Sequence, residues 1–134
     1  MYTNVTVLSA DAGKLLLRLS VGVLLLLHGI AKVVGGPADI VALVEKVGMP
    51  GSFGYAVYLG EVVAPLAMII GVWTRIAALV VAGNMAVAIA LVHMGELFTL
   101  NQGGGWALEL QGMFLLGALA VALIGPGRYA FMES

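Results

Sequence analysis

Four stretches of nearly unbroken apolar sequence, at residues 14–34, 55–72, 76–94 and 106–124, set the limits on this chain. Each comes close to the about 20 residues that a helix needs to cross a bilayer, and together they fill most of the 134 residues. A soluble domain is about 45–50% apolar and about 25% charged, whereas this chain is 62% hydrophobic and 10% charged. Packing in water could not hide so much apolar surface. The sequence therefore predicts an all-α integral membrane bundle of four transmembrane helices, forming one domain over residues 1–134. A cleaved signal peptide does not fit the first stretch, which is too long, contains His28 and Lys32, and lacks a small-residue cleavage pattern.

Between the first two stretches, Gly35-Gly36-Pro37 and Gly48-Met49-Pro50-Gly51 enclose residues 38–47. Ile40, Val41, Leu43, Val44 and Val47 recur there at helical spacing, while Asp39, Glu45 and Lys46 can face water. This pattern predicts a short amphipathic helix on the outer surface. Asn101-Gln102-Gly103-Gly104-Gly105 predicts a flexible outer loop before the fourth span. Lys14, Arg18, Arg75 and Arg128 fall on one side of a four-span chain, whereas Lys32 and Lys46 on the other are offset by Asp39, Glu45 and Glu96. Short loops rich in Lys and Arg stay in the cytoplasm. The expectation is a multi-pass protein of a cell membrane, the inner membrane where there are two, with both termini cytoplasmic.

The chain has no cysteine, which excludes disulfides, thiol nucleophiles and iron–sulfur ligation by this chain. Any redox role must use a bound cofactor or a partner. A net charge of −1 with no basic run excludes nucleic acid as a partner.

Ionisable groups at membrane depth cost several kcal/mol unless they face a bundle interior or a wet cavity. Five residues fall there: His28, Lys32, Glu61, His93 and Glu109. At about 1.5 Å of rise per residue they lie about 5 Å to about 12 Å outward of their helix centres, all in the outer half. His28 and Lys32 share a face of the first helix, with Arg18 roughly in line below them. Pro65, one turn after Glu61, removes a backbone donor and can kink the second helix beside the acid. An alanine stripe at Ala78, Ala82, Ala86 and Ala90 would admit a neighbouring helix and aim His93 inward.

Each of these features also has a plainer reading. Lys32 can snorkel to outer headgroups, His93 can sit at the interface, and Arg18 can anchor the cytoplasmic end. Trp73, Tyr58, Trp106 and Tyr129 fit an aromatic belt, and mid-span Asn84 fits interhelical hydrogen bonding. Glu61 and Glu109 are the hardest to explain in this way, although a structural Glu–Lys or Glu–His pair would account for them as well as a site does.

His28-Gly29 with Lys32 closing the first helix, Glu61 in the second, Gly71 with Thr74-Arg75 at the turn, His93, Glu109 and Gly125-Pro126-Gly127 follow one another in an order that resembles the DoxX family of small membrane proteins. The resemblance covers residues 14–129 and implies a four-helix membrane bundle. The family is named for a component associated with quinone-linked sulfur oxidation. Relatives occur beside superoxide- and thiol-handling proteins or as assembly factors, so membership leaves catalysis open.

Two functions follow as expectations. In the first, the chain is a subunit or accessory of a quinone-linked redox complex, and His28, Lys32, Glu61, His93 and Glu109 bind the quinone headgroup or pass its protons. In the second, it is a non-catalytic scaffold or assembly factor whose buried charges fix helix register. The expected partners are the lipid bilayer, protein subunits of a membrane complex, or a second copy of the chain. Haem ligation by His28 and His93 meets the ligand count, but both residues have simpler readings, so haem is set aside. No metal is expected.

Overall fold

The computed structural model describes residues 4–90 and 94–132, with side chains from residue 9 onward. Among the described residues every regular element is helical. Helix α1 (Asn4–Gly35) starts ten residues before the apolar stretch and ends at the predicted glycine pair. The predicted amphipathic helix is α2 (Ala38–Lys46). The second apolar stretch, expected at 55–72, lies in a helical run that starts four residues earlier and ends two residues earlier, Gly51–Ile70, made of four segments end to end: a 3-10 turn (Gly51–Tyr55), α3 (Ala56–Tyr58), a π-turn (Leu59–Val63) and α4 (Ala64–Ile70). Helices α5 (Thr74–Ala88) and α6 (Glu109–Ile124) complete the chain.

Helix α1 packs on α4 and α6, and α5 packs on the same two, so the four close into a ring. Val21, Leu25, Met68, Ala78, Val81 and Phe114 fill its centre. Arg18, Gly22, Leu25, Gly29 and Lys32 recur on α1 at alternating steps of four and three, the spacing that keeps one face inward. Leu16, Val23, Leu27, Ile30 and Val34 lie exposed on the same helix. Of the predicted alanine stripe, Ala78 and Ala82 are buried but Ala86 and Ala90 are exposed. A strict four-residue step advances about 40° around a helix each time, so Met85 replaces Ala86 on the inner face.

Two helical stretches, Ser9–Gly35 and Gly51–Ile70, are long and apolar enough to cross a membrane, while α5 and α6 are apolar but shorter. Helix α6 exposes Leu110, Met113, Leu116 and Leu123. A contiguous apolar face of this kind belongs against lipid or protein rather than water.

One end of the ring is closed by the segment after α6. Arg18, expected to anchor in headgroups, is instead 1% exposed and donates from Nη1 to the Pro126 carbonyl (2.9 Å) and from Nη2 to that of Tyr129 (2.6 Å). The segment folds back because Gly125 and Gly127 take positive φ, and this supplies the carbonyls that a buried guanidinium requires. Arg75 Nη1 donates to the last carbonyls of α6, on Ala122 and Leu123. Such cations offset the negative end of a helix. Phe131 and Met132 donate backbone N–H groups to Ile70 and Gly71. Arg18, Arg75 and residues 126–129 thus share one end.

Candidate functional site

The site begins with the break in the second stretch. Pro65 has no N–H to give to the Glu61 carbonyl four residues back, and its ring crowds that carbonyl in a regular helix. The chain adopts the wider π-turn Leu59–Val63 there, a distortion common at functional sites. The turned-out Glu61 carbonyl is accommodated by Gly29 of α1, where a Cβ would collide with it, while a Cβ at Gly60 would overlap the Asn84 side chain of α5. Two glycines therefore bring three helices together around Glu61. Gly29→Val should force the α1 backbone outward, since a carbonyl cannot yield as a side chain can, and should lower the unfolding temperature in detergent far more than Gly83→Ala, which meets open space. Equal stability of the two variants would contradict this packing.

The Glu61 carboxylate is buried, and among the described residues its Oε2 takes two polar contacts: Lys32 Nζ at 2.6 Å and Asn84 Nδ2 at 3.3 Å. The pair is uneven, with the Glu61 side chain 4% exposed and that of Lys32 42%. Lys32 thus reaches from the rim to a carboxylate sealed inside. Tyr58 Oη donates to the backbone carbonyl of Lys32. Beside the pair is a cavity of about 100 Å³ lined by His28, Lys32, Glu61, Gln111 and Phe114 among others. At about 30 Å³ per molecule it has room for about three waters. The His28 ring stands edge-on to Phe114 at 5.7 Å between centroids. His28 and Lys32 also line a second, wider hollow that includes Gly35, Gly36 and Asp39, so polar side chains run from the α1–α2 junction down to Glu61.

The structure thus brings together three of the five sequence-predicted residues, His28, Lys32 and Glu61. Glu109 stands apart. It is exposed at the start of α6, and its Oε1 accepts a hydrogen bond from Asn101 Nδ2 at 3.5 Å in the preceding loop. That loop is folded rather than free: Asn101 Oδ1 accepts from the N–H groups of Gly103 and Gly105, and Leu100 bridges to Trp106. Trp106, read as a belt residue, instead donates Nε1–H to the Leu97 carbonyl at 2.7 Å and packs on Gly112. His93 lies outside the described residues. Asn84 and Gln111 join the site; a mid-span amide gave the signal for Asn84, read as helix-bonding glue, and nothing singled out Gln111. Among the described residues no three His, Asp or Glu side chains gather closely enough to hold a metal ion.

A helical ring with lipid-ready outer faces and a carboxylate sealed among its helices defines a small membrane protein. The chain belongs to the DoxX family, whose model matches residues 13–94, a stretch that holds His28, Lys32, Glu61 and Asn84 and ends before Glu109. Neither the curated proteins nor the solved structures contain a match to the chain.

Proposed function

We propose that the chain crosses a cell membrane four times, both termini cytoplasmic, and serves a quinone-linked redox complex through a polar site in its outer leaflet. The observation that carries this reading is the buried Glu61 carboxylate, which touches a small cavity of mixed polar and apolar lining that His28 and Lys32 share with the wider hollow outside. The residues suit a quinol bound beside them: Asn84 presents an N–H donor to a ring oxygen, while Glu61 and His28 can accept and pass on the protons it releases. A bound quinol would supply two protons and two electrons, the electrons passing to a redox centre on a partner subunit. The two protons leave one after the other by the same path, Glu61 taking each inside and His28 passing it to water in the cavity, while Lys32 holds the carboxylate in position.

The four crossings are supported by the ring itself, which places α5 and α6 beside two helices of spanning length, and the orientation by the arginines gathered at one end. Single cysteines at Ser52 and Gln102 should react with an impermeant outside thiol reagent, and those at Gly13 and Trp73 should not. All four positions avoid the buried core, and there is no native cysteine. Labelling at Trp73 with protection at Gln102 would invert the topology. For the site, a photoactivatable azidoquinone should crosslink to peptides containing residues 28–32 or 57–61; adducts spread evenly over all the helices would contradict it.

A scaffold remains the second reading, and one observation favours it. Glu61 already ties α1, the π-turn and α5 together through Lys32 and Asn84, as a purely structural polar knot would.

A further inference from the structure

On the side of Asn84 facing away from the His28 cavity, a groove of about 250 Å³ runs between α2, the second stretch and α5. Val44, Phe53, Val57, Leu59, Val80 and Val87 line it, and among the described residues Asn84 is its one polar side chain. Phe53, Leu59 and Val87 are about half exposed, so the groove opens sideways, at the level where the proposed topology places lipid. Gly83 lies in its wall, and a Cβ there would meet nothing within 4 Å, so the groove is space the fold leaves unfilled.

We infer that this groove is the lateral binding site of a neutral isoprenoid quinone, its ring carbonyl hydrogen-bonded to Asn84 and its tail running out past Phe53 and Leu59. The inference rests on the proposed quinone-linked function and adds where the quinone docks. Three features select the occupant. The volume exceeds the about 150 Å³ of an apolar cavity that takes up benzene, so a substituted ring fits. Among the described residues no Lys, Arg or His lines the groove, so a phospholipid phosphate has no counter-charge from them there. Continuity is the third: an amide nitrogen carries two hydrogens, and while one bonds Glu61 the other can meet a ring carbonyl. Glu61 is thereby placed between two different routes. A lipid-soluble ligand arrives through the apolar groove, and protons leave through the polar cavity on the other side. The ligand never needs to enter water.

Gly83→Leu tests this because its Cβ would meet nothing within 4 Å, so the side chain has the groove to enter, and it replaces a poor helix former with a good one. Decyl-tailed benzoquinone is titrated into the purified full chain in lipid nanodiscs, with thermal unfolding followed in parallel. The wild type is expected to bind, and Gly83→Leu to bind at least 10-fold more weakly at an unfolding temperature no lower than that of the wild type. Unchanged affinity in Gly83→Leu would overturn the groove while leaving a quinone site on the His28 side standing. No saturable binding to the wild type would overturn both. A phospholipid retained in native mass spectra of the wild type, lost from Gly83→Leu and not displaced by the quinone, would overturn the quinone as occupant.

Discussion

Lys32→Met should destabilise the protein by about 3–5 kcal/mol in detergent, the usual cost of leaving one charge of a buried pair uncompensated. Glu61→Gln, at the other end of the same 2.6 Å contact, should cost well under half as much. The asymmetry comes from burial. Removing the lysine strands a carboxylate that is 4% exposed, whereas removing the acid frees an ammonium that is already 42% exposed and can snorkel to the surface on its four-carbon stem. The double variant should recover most of the loss, because with both substitutions in place no unpaired charge is left inside, and the Asn84 amide keeps an acceptor on the introduced amide carbonyl. Denaturant or thermal unfolding of the four proteins in one detergent gives the cycle. Additive losses would mean that the contact carries no coupling, and equal losses for the two single variants would contradict the asymmetry of burial.

Much of this organisation is legible along the chain, because the constraints that make it are local. Gly35-Gly36-Pro37 stops α1 and Gly48-Met49-Pro50-Gly51 stops α2 by backbone chemistry alone, so the outer helix falls where periodicity puts it. The pairing of Lys32 with Glu61 follows from the cost of leaving either alone in an apolar setting. What the sequence hides depends on contacts between distant segments. Arg18 reads as an interfacial anchor until residues 126–129 fold back more than a hundred positions away and supply two carbonyls. Glu109 reads as a membrane-depth acid because it opens an apolar run, but the loop before it is stiffened by Asn101 and holds the carboxylate at the surface. Pro65 signals a kink, yet only the close approach of Gly29 shows why a widened turn is tolerated at Glu61. The sequence resemblance runs to residue 129 and the matched family stretch to residue 94, so α1 through α5 carry the family and α6 is read from its own residues.

The larger effect is expected on proton exchange. Glu61→Gln keeps the side-chain volume and an acceptor for Lys32 and Asn84 but removes the group that would take a quinol proton. General acid–base groups contribute about 10²–10⁴-fold to such steps, so quinol-dependent turnover of the assembled complex should fall by about a hundred-fold or more while the protein still folds. A structural knot predicts the reverse, a protein less stable yet fully functional. His28→Gln should fall between the two, since water in the cavity of about 100 Å³ can relay part of the proton flux without the imidazole.

Infrared difference spectroscopy reads that proton on the isolated chain, without a partner subunit. Decyl-tailed benzoquinone bound to the protein in nanodiscs is reduced and reoxidised electrochemically, and the spectrum of each state is subtracted from the other. The quinone-site reading predicts a protonated-carboxyl band that changes with the redox state in the wild type and is missing from Glu61→Gln, while the Glu109→Gln spectrum, with its acid at the surface, matches the wild type. A redox difference spectrum identical in the wild type and Glu61→Gln would show that the carboxylate takes no part, and would leave Glu61 and Lys32 as a structural pair.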